Sequence, residues 1–169
     1  MGMSDAFVQE MDHEGATTRR LLERVPTDQL SWKPHAKSMS LGELALHVAS
    51  IPGFISGWAV DDSFNFGTAG HPEPPASTDD VLKAHDAGLT KAKQVLSTLG
   101  DAGLQRNWEA TMNGATMFSM PKLALVRSIL LNHWYHHRGQ LSVYLRLLNV
   151  PLPSIYGPSA DENPFAAGS

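Results

Sequence analysis

The chain has 169 residues, 42% of them hydrophobic and 18% charged, with a formal net charge of −4 and no cysteine. This length and balance describe one globular domain over residues 1–169 with a sizeable core, and an acidic surface argues against nucleic acid, whose binding rests on basic groups. The missing cysteines exclude disulfides, thiolate metal ligands and a cysteine nucleophile, and they fit a cytoplasmic protein.

No stretch has the unbroken apolar length of a membrane span. No basic region followed by an apolar run marks a secretory leader. Gly2 invites a lipid anchor, but Ala6 stands where the myristoylation motif wants Ser or Thr.

Ser4 to Val25 predicts a first helix, with Phe7, Met11, Thr18, Leu21 or Leu22, and Val25 at helical spacing and Pro26 ending it. Its Glu10 and His13 form a Glu-x-x-His pair of the kind found in di-iron bundles. That site needs carboxylates from the other helices, and residues 122–148 hold no Asp or Glu, so di-iron is excluded and His13 is read as a surface residue. Thr27 to Met39 is a connector in which His35 beside Pro34 is a solvated loop residue.

Ser40-Leu41-Gly42-Glu43 is a capping box that starts a second helix. Its apolar stripe runs Leu44, His47, Ile51, Phe54, Trp58, with His47 as the single polar member and Pro52 as a bend. Asp61 to Ala76 is rich in Gly, Pro, Asn and Asp and is expected to be a loop, with His71 a loop residue before Pro72. Ser77 or Thr78 caps a third helix that runs to about Leu99 and stops at Gly100, with His85 expected on its surface. Arg106 to Met120 alone has strand character, and Asn113-Gly114 within it predicts a hairpin that must pack on the helices.

Pro121 to Asn149 is the longest apolar-periodic run and predicts the last helix, opened by proline and closed by Asn149 and Pro151. Steps of three and four give its inward face as Val126, Leu130, His133, His137, Leu141, Tyr144 and Leu148. Leu131, Trp134 and Leu145 lie outside that stripe and call for a second buried face, against another helix or a partner subunit. Arg127, Arg138 and Arg146 spread over the side away from the histidines, as a solvated or interface face. The tail after Val150 is too rich in Pro and Gly to be helical, and Ile155 and Tyr156 are its expected anchors.

These elements predict an all-α, antiparallel four-helix bundle with a crossover connection and a hairpin-like excursion before the last helix. His47, His133 and His137 then point from two helices into one core. Three imidazoles with a fourth position open are the pattern of a catalytic metal site, and Zn, Ni, Co and Fe(II) all accept them. The zincin motif is absent, because Trp134 stands where its Glu would follow the first His. His136 is an alternative ligand at three-residue spacing, and Gln140 is placed to hold a ligand or bound water by a hydrogen bond.

The stretches Ser38 to Ala49 (SMSLGELALHVA), Asn132 to Leu145 (NHWYHHRGQLSVYL) and Ile155 to Glu162 (IYGPSADE) resemble the DinB-like superfamily of metal-binding four-helix bundles, and the likeness covers essentially the whole chain. The resemblance implies an up-down-down-up bundle, commonly a homodimer, holding a divalent metal, often zinc or nickel, through His47, His133 and His137. Some relatives are thiol-dependent enzymes, bacillithiol S-transferases and mycothiol-dependent maleylpyruvate isomerase. The expected function is therefore a metal-dependent transferase that takes a low-molecular-weight thiol as cosubstrate and acts on a small molecule. The alternatives are a hydrolase using metal-bound water and a non-catalytic metal-binding stress-response module.

Overall fold

Four long helices carry the core of the computed structural model, which describes residues 2–68, 70 and 72–166. Helix α1 (Met3–Leu22) buries Phe7, Met11, Thr18, Leu21 and Leu22, the positions its spacing singles out. Helix α2 (Leu41–Trp58) starts at the expected capping box: Glu43 N donates to Ser40 Oγ at 3.1 Å and Ser40 N to Glu43 Oε2 at 2.6 Å. Helix α3 (Thr78–Leu104) is capped by Ser77 and breaks at Gly100, whose φ of 58° suits glycine, before a short helical continuation. It packs against both α1 and α2. The approach to α2 is close enough that a Cβ on Gly53 would stand 2.6 Å from the Gly88 Cα.

Helix α4 is built of three consecutive segments: Lys122–Ala124 in α geometry, Leu125–Leu131 in π geometry and Asn132–Leu147 in α geometry. Asn149 ends it in the left-handed conformation, with Val150 N donating to Leu145 O and Asn149 N to Arg146 O, both at 3.0 Å. Leu131, Trp134 and Leu145 are fully buried within this one chain, so the second apolar face packs against the chain's own elements. None of the described helices is long and apolar enough to cross a membrane.

The all-α expectation is corrected by a three-stranded mixed sheet of order β1-β2-β3. Strand β2 (Asn107–Met112) and strand β3 (Ala115–Pro121) form the hairpin, turning through Asn113 and Gly114 at φ 52° and 81°. Strand β1 (Ser63–Asn65) comes from the loop after α2 and pairs parallel to β2, Phe64 opposite Ala110. A lone hairpin would leave β2 with an open edge; β1 closes it, while Trp108 and Ala110 on β2 drop into the core.

Two further expectations are overturned. His85 is buried, 1% exposed, beside Trp134 with ring centroids 6.4 Å apart, and its Nδ1 lies 3.2 Å from Asp86 Oδ1. Arg138 is not solvated: at 1% exposure it reaches Glu14 Oε2 at 2.6 Å and donates to Thr18 Oγ1 at 3.1 Å and to the Tyr156 hydroxyl. The tail is thereby tied to α1 and α4 through Tyr156, which also donates to Glu14 Oε2 at 3.0 Å. His71 lies outside the described residues.

Candidate metal centre

The capping box fixes where α2 begins, and His47 follows on its second turn. His133 and His137 stand four apart at the start of the final α segment of α4, directly after the π segment. Their ring nitrogens converge, one from each of the three residues, within 4.8 Å of one another, and all three side chains are half-buried. The Nε2 atoms of His47 and His133 are 3.1 Å apart, and the His137 ring centroid lies 4.5 Å from that of each of the other two. The structure thus brings together the three residues that the sequence singled out.

Burial pushes all three imidazoles toward their neutral form. For His47 the loss of solvent, reinforced by His137 and His133, carries the pKa down to about 4. Neutral imidazole is the form that ligates a metal.

Gln140 sets the tautomer of His137. Its Oε1 lies 2.7 Å from His137 Nδ1, which therefore carries the proton and leaves Nε2 free. The amide nitrogen of Gln140 lies 3.0 Å from His136 Nε2, so His136 sits behind Gln140 and is not part of the cluster. His13 and His35 are exposed and are not members of the cluster.

The donor set fits a small divalent ion. Metal–nitrogen bonds of about 2.0–2.1 Å in tetrahedral geometry place ligand atoms about 3.3 Å apart, and the His47–His133 pair already stands at 3.1 Å. Among the described residues the cluster includes no carboxylate.

Two features of the surroundings were not read from the sequence. Tyr135, between His133 and His137 in the chain but turned toward α1, donates to Glu10 Oε1 at 2.8 Å, and Arg127 pairs with the same carboxylate at 2.8 Å. Burial, with the Glu10 carboxylate second, pushes the Tyr135 phenol well up, so it stays a neutral donor. The Glu10-x-x-His13 spacing marked Glu10, but for a role it does not have. The second is an aromatic group at the C-terminal end of α2: Trp58 stacks on Phe64 at 4.7 Å and meets Phe66 edge-on at 5.0 Å. Trp58 was already marked by the apolar stripe of α2, and the alternating Phe64 and Phe66 within a polar loop were the trace of its partners.

The profile of the DinB family matches residues 1–164. An uncharacterized protein of Bacillus subtilis strain 168, YrdA, is 25% identical over 158 residues, covering 94% of this chain and 90% of its own. Among solved structures, a DinB-like protein of Bacillus cereus ATCC 10987 superposes with a TM-score of 0.72 at 22% identity, covering 90% of this chain and 97% of that one. The DinB-like protein YjoA of Bacillus subtilis gives 0.69 at 22% identity, covering 89% and 96%. At that identity the two structures speak for the fold. With the family profile spanning nearly its full length, the chain belongs to the DinB family.

Proposed function

We propose that the protein is a divalent-metal-binding transferase that activates a low-molecular-weight thiol, with His47, His133 and His137 as the metal ligands. The observation that carries this reading is the convergence of three neutral, half-buried imidazoles at ligand spacing, with no carboxylate among them. A zinc or nickel ion held there supplies a Lewis acid that favours the thiolate form of a thiol at neutral pH.

The chain's own residues do the rest. His47 comes from one helix and His133 and His137 from another, so the site forms only when α2 and α4 are packed. Gln140 orients His137. With no cysteine in the sequence, the sulfur comes from a cosubstrate. The thiol proton passes to solvent, sulfur bonds to an electrophilic carbon of the acceptor, and the bond from that carbon to its leaving group breaks with the pair on the leaving group.

Elemental analysis of protein purified without a nickel column tests the premise. About one ion per chain is expected in wild type and a near-complete loss in His133→Ala. Thiol-dependent conjugation that survives full removal of metal would overturn the transferase reading, as would hydrolysis of esters, amides or lactams proceeding equally well with no thiol.

A further inference from the structure

We infer that the acceptor of this reaction is an uncharged, apolar molecule of ring-like shape, bound in a cavity of its own against His47 and His133. The inference rests on the transferase reading and adds the acceptor class and its subsite.

The three histidines stand where cavities of different chemistry meet. On one side of His47 lies a cavity of ≈ 490 Å³ whose walls include Lys33, Lys37, Glu43 and Glu73. On the other side a cavity of ≈ 630 Å³ is bounded by His47 and His133 and walled by Ile51, Ile55, Phe54 and Trp58 of α2 and by Phe66. Among the described residues no Asp, Glu, Lys or Arg lines this second cavity, and apart from the two histidines Ser50 supplies its one polar side chain.

That difference sorts the two reactants. An ionised group entering the second cavity would shed its hydration with no partner to replace it. In the first cavity lysines and carboxylates are at hand. A biological thiol that carries ionised groups is therefore accommodated on the charged side, and the apolar side is left for the acceptor. A volume of this size suits a small organic ligand.

The apolar wall is preformed. Trp58 is fixed by Phe64 in parallel stacking, by Phe54 edge-on at 5.3 Å, and by Trp108, which stacks at 6.4 Å and donates from Nε1 to Trp58 O at 2.9 Å. Phe64 lies on β1 and Trp108 on β2, so the small sheet braces the cavity. A rigid aromatic wall favours flat, apolar ligands through offset and edge-on contacts. Phe54, 48% exposed, sits at the mouth and can be changed without excavating the core.

The test is fluorescence titration with N-phenylnaphthylamine, an uncharged aromatic probe, on metal-free and metal-loaded protein. Saturable one-to-one binding is expected in both, with the anionic anilinonaphthalene sulfonate at least about tenfold weaker. Phe54→Ala, which removes part of the wall, and Ser50→Phe, which fills the cavity, should each weaken binding about tenfold while metal content and circular dichroism stay as in wild type. In thiol conjugation of an uncharged aromatic halide, Phe54→Ala should raise KM with little change in kcat. Failure of wild type to bind the probe while it holds metal overturns the inference at the cavity, as do equal affinities for the two probes or unchanged affinity in both variants. Absence of metal from wild type overturns it through its premise, and probe binding by the metal-free protein tells the two failures apart.

Discussion

Gln140 Oε1 lies 2.7 Å from Nδ1 of His137, three residues earlier on α4. An acceptor at that distance keeps the ring proton on Nδ1 and leaves Nε2 with its lone pair free, and outer partners of this kind typically contribute 10- to 100-fold to metal affinity. Gln140→Leu keeps the helix and removes the acceptor. Its affinity, measured by competition with a chromophoric chelator, is expected to fall by roughly 10- to 100-fold; a value within about twofold of wild type would show that Gln140 does not orient the ligand.

The ion pair of Arg138 and Glu14 joins α4 to α1 in a nearly dry environment. Removing one member leaves a buried charge short of partners and costs about 3–5 kcal/mol, whereas replacing both by apolar residues is often close to neutral. Arg138→Met should therefore unfold at markedly lower urea than wild type, and Glu14→Leu combined with Arg138→Met should recover most of the loss. A double variant as weak as the single one would mean that the contacts to Thr18 and Tyr156, and not the charge pair, hold the two helices together.

The lowered pKa of His47 gives the metal-free protein a defined acid sensitivity. In the unfolded chain the ring titrates near ~6.5; in the folded state it does so near about 4. Between those values the unfolded state binds more protons, so stability is present above the upper limit and is lost as pH falls through the window. With allowance for the partial exposure of the ring, the loss from His47 is on the order of 2 kcal/mol. Carboxylates held low by cations, such as Asp161 beside Arg146, act in the same direction, so the comparison must be with a variant. Urea midpoints of metal-free protein should fall less steeply between pH 7 and pH 4.5 in His47→Gln than in wild type; equal slopes would show that His47 is not desolvated.

The helices and the three histidines were legible because both are written in local spacing. The capping box at Ser40 and Glu43 set the start of α2, and the four-residue step from His133 to His137 set two ring directions on α4. What was not legible depends on pairings between distant segments. Strand β1 is three residues inside a Gly- and Pro-rich loop, too short to show periodicity, and it exists only because β2 offers it an edge. Arg138 lies on the side of α4 that its neighbours Arg127 and Arg146 mark as solvated; its burial is decided by Glu14, more than a hundred residues away in sequence. The π segment has no sequence signal at all, since Leu125–Leu131 reads as an ordinary apolar helix.

Trp108 is where the part of the fold that was not legible meets the proposed cavity. Its indole is fully buried between Trp58 and Phe118, and its Nε1–H is the donor to the Trp58 carbonyl at the end of α2. Trp108→Ala removes that packing and is expected to destabilise the protein by about 3–5 kcal/mol. Trp108→Phe keeps a ring in place and drops the hydrogen bond, at a cost nearer 1–2 kcal/mol. If the sheet braces the aromatic wall, Trp108→Phe should also weaken N-phenylnaphthylamine binding at temperatures where it remains fully folded, because Trp58 loses its anchor while every residue lining the cavity is retained. A Trp108→Phe protein that binds the probe as tightly as wild type would show that Trp58 is positioned by Phe54, Phe64 and Phe66, and that the Trp108 contact from β2 serves stability without shaping the site.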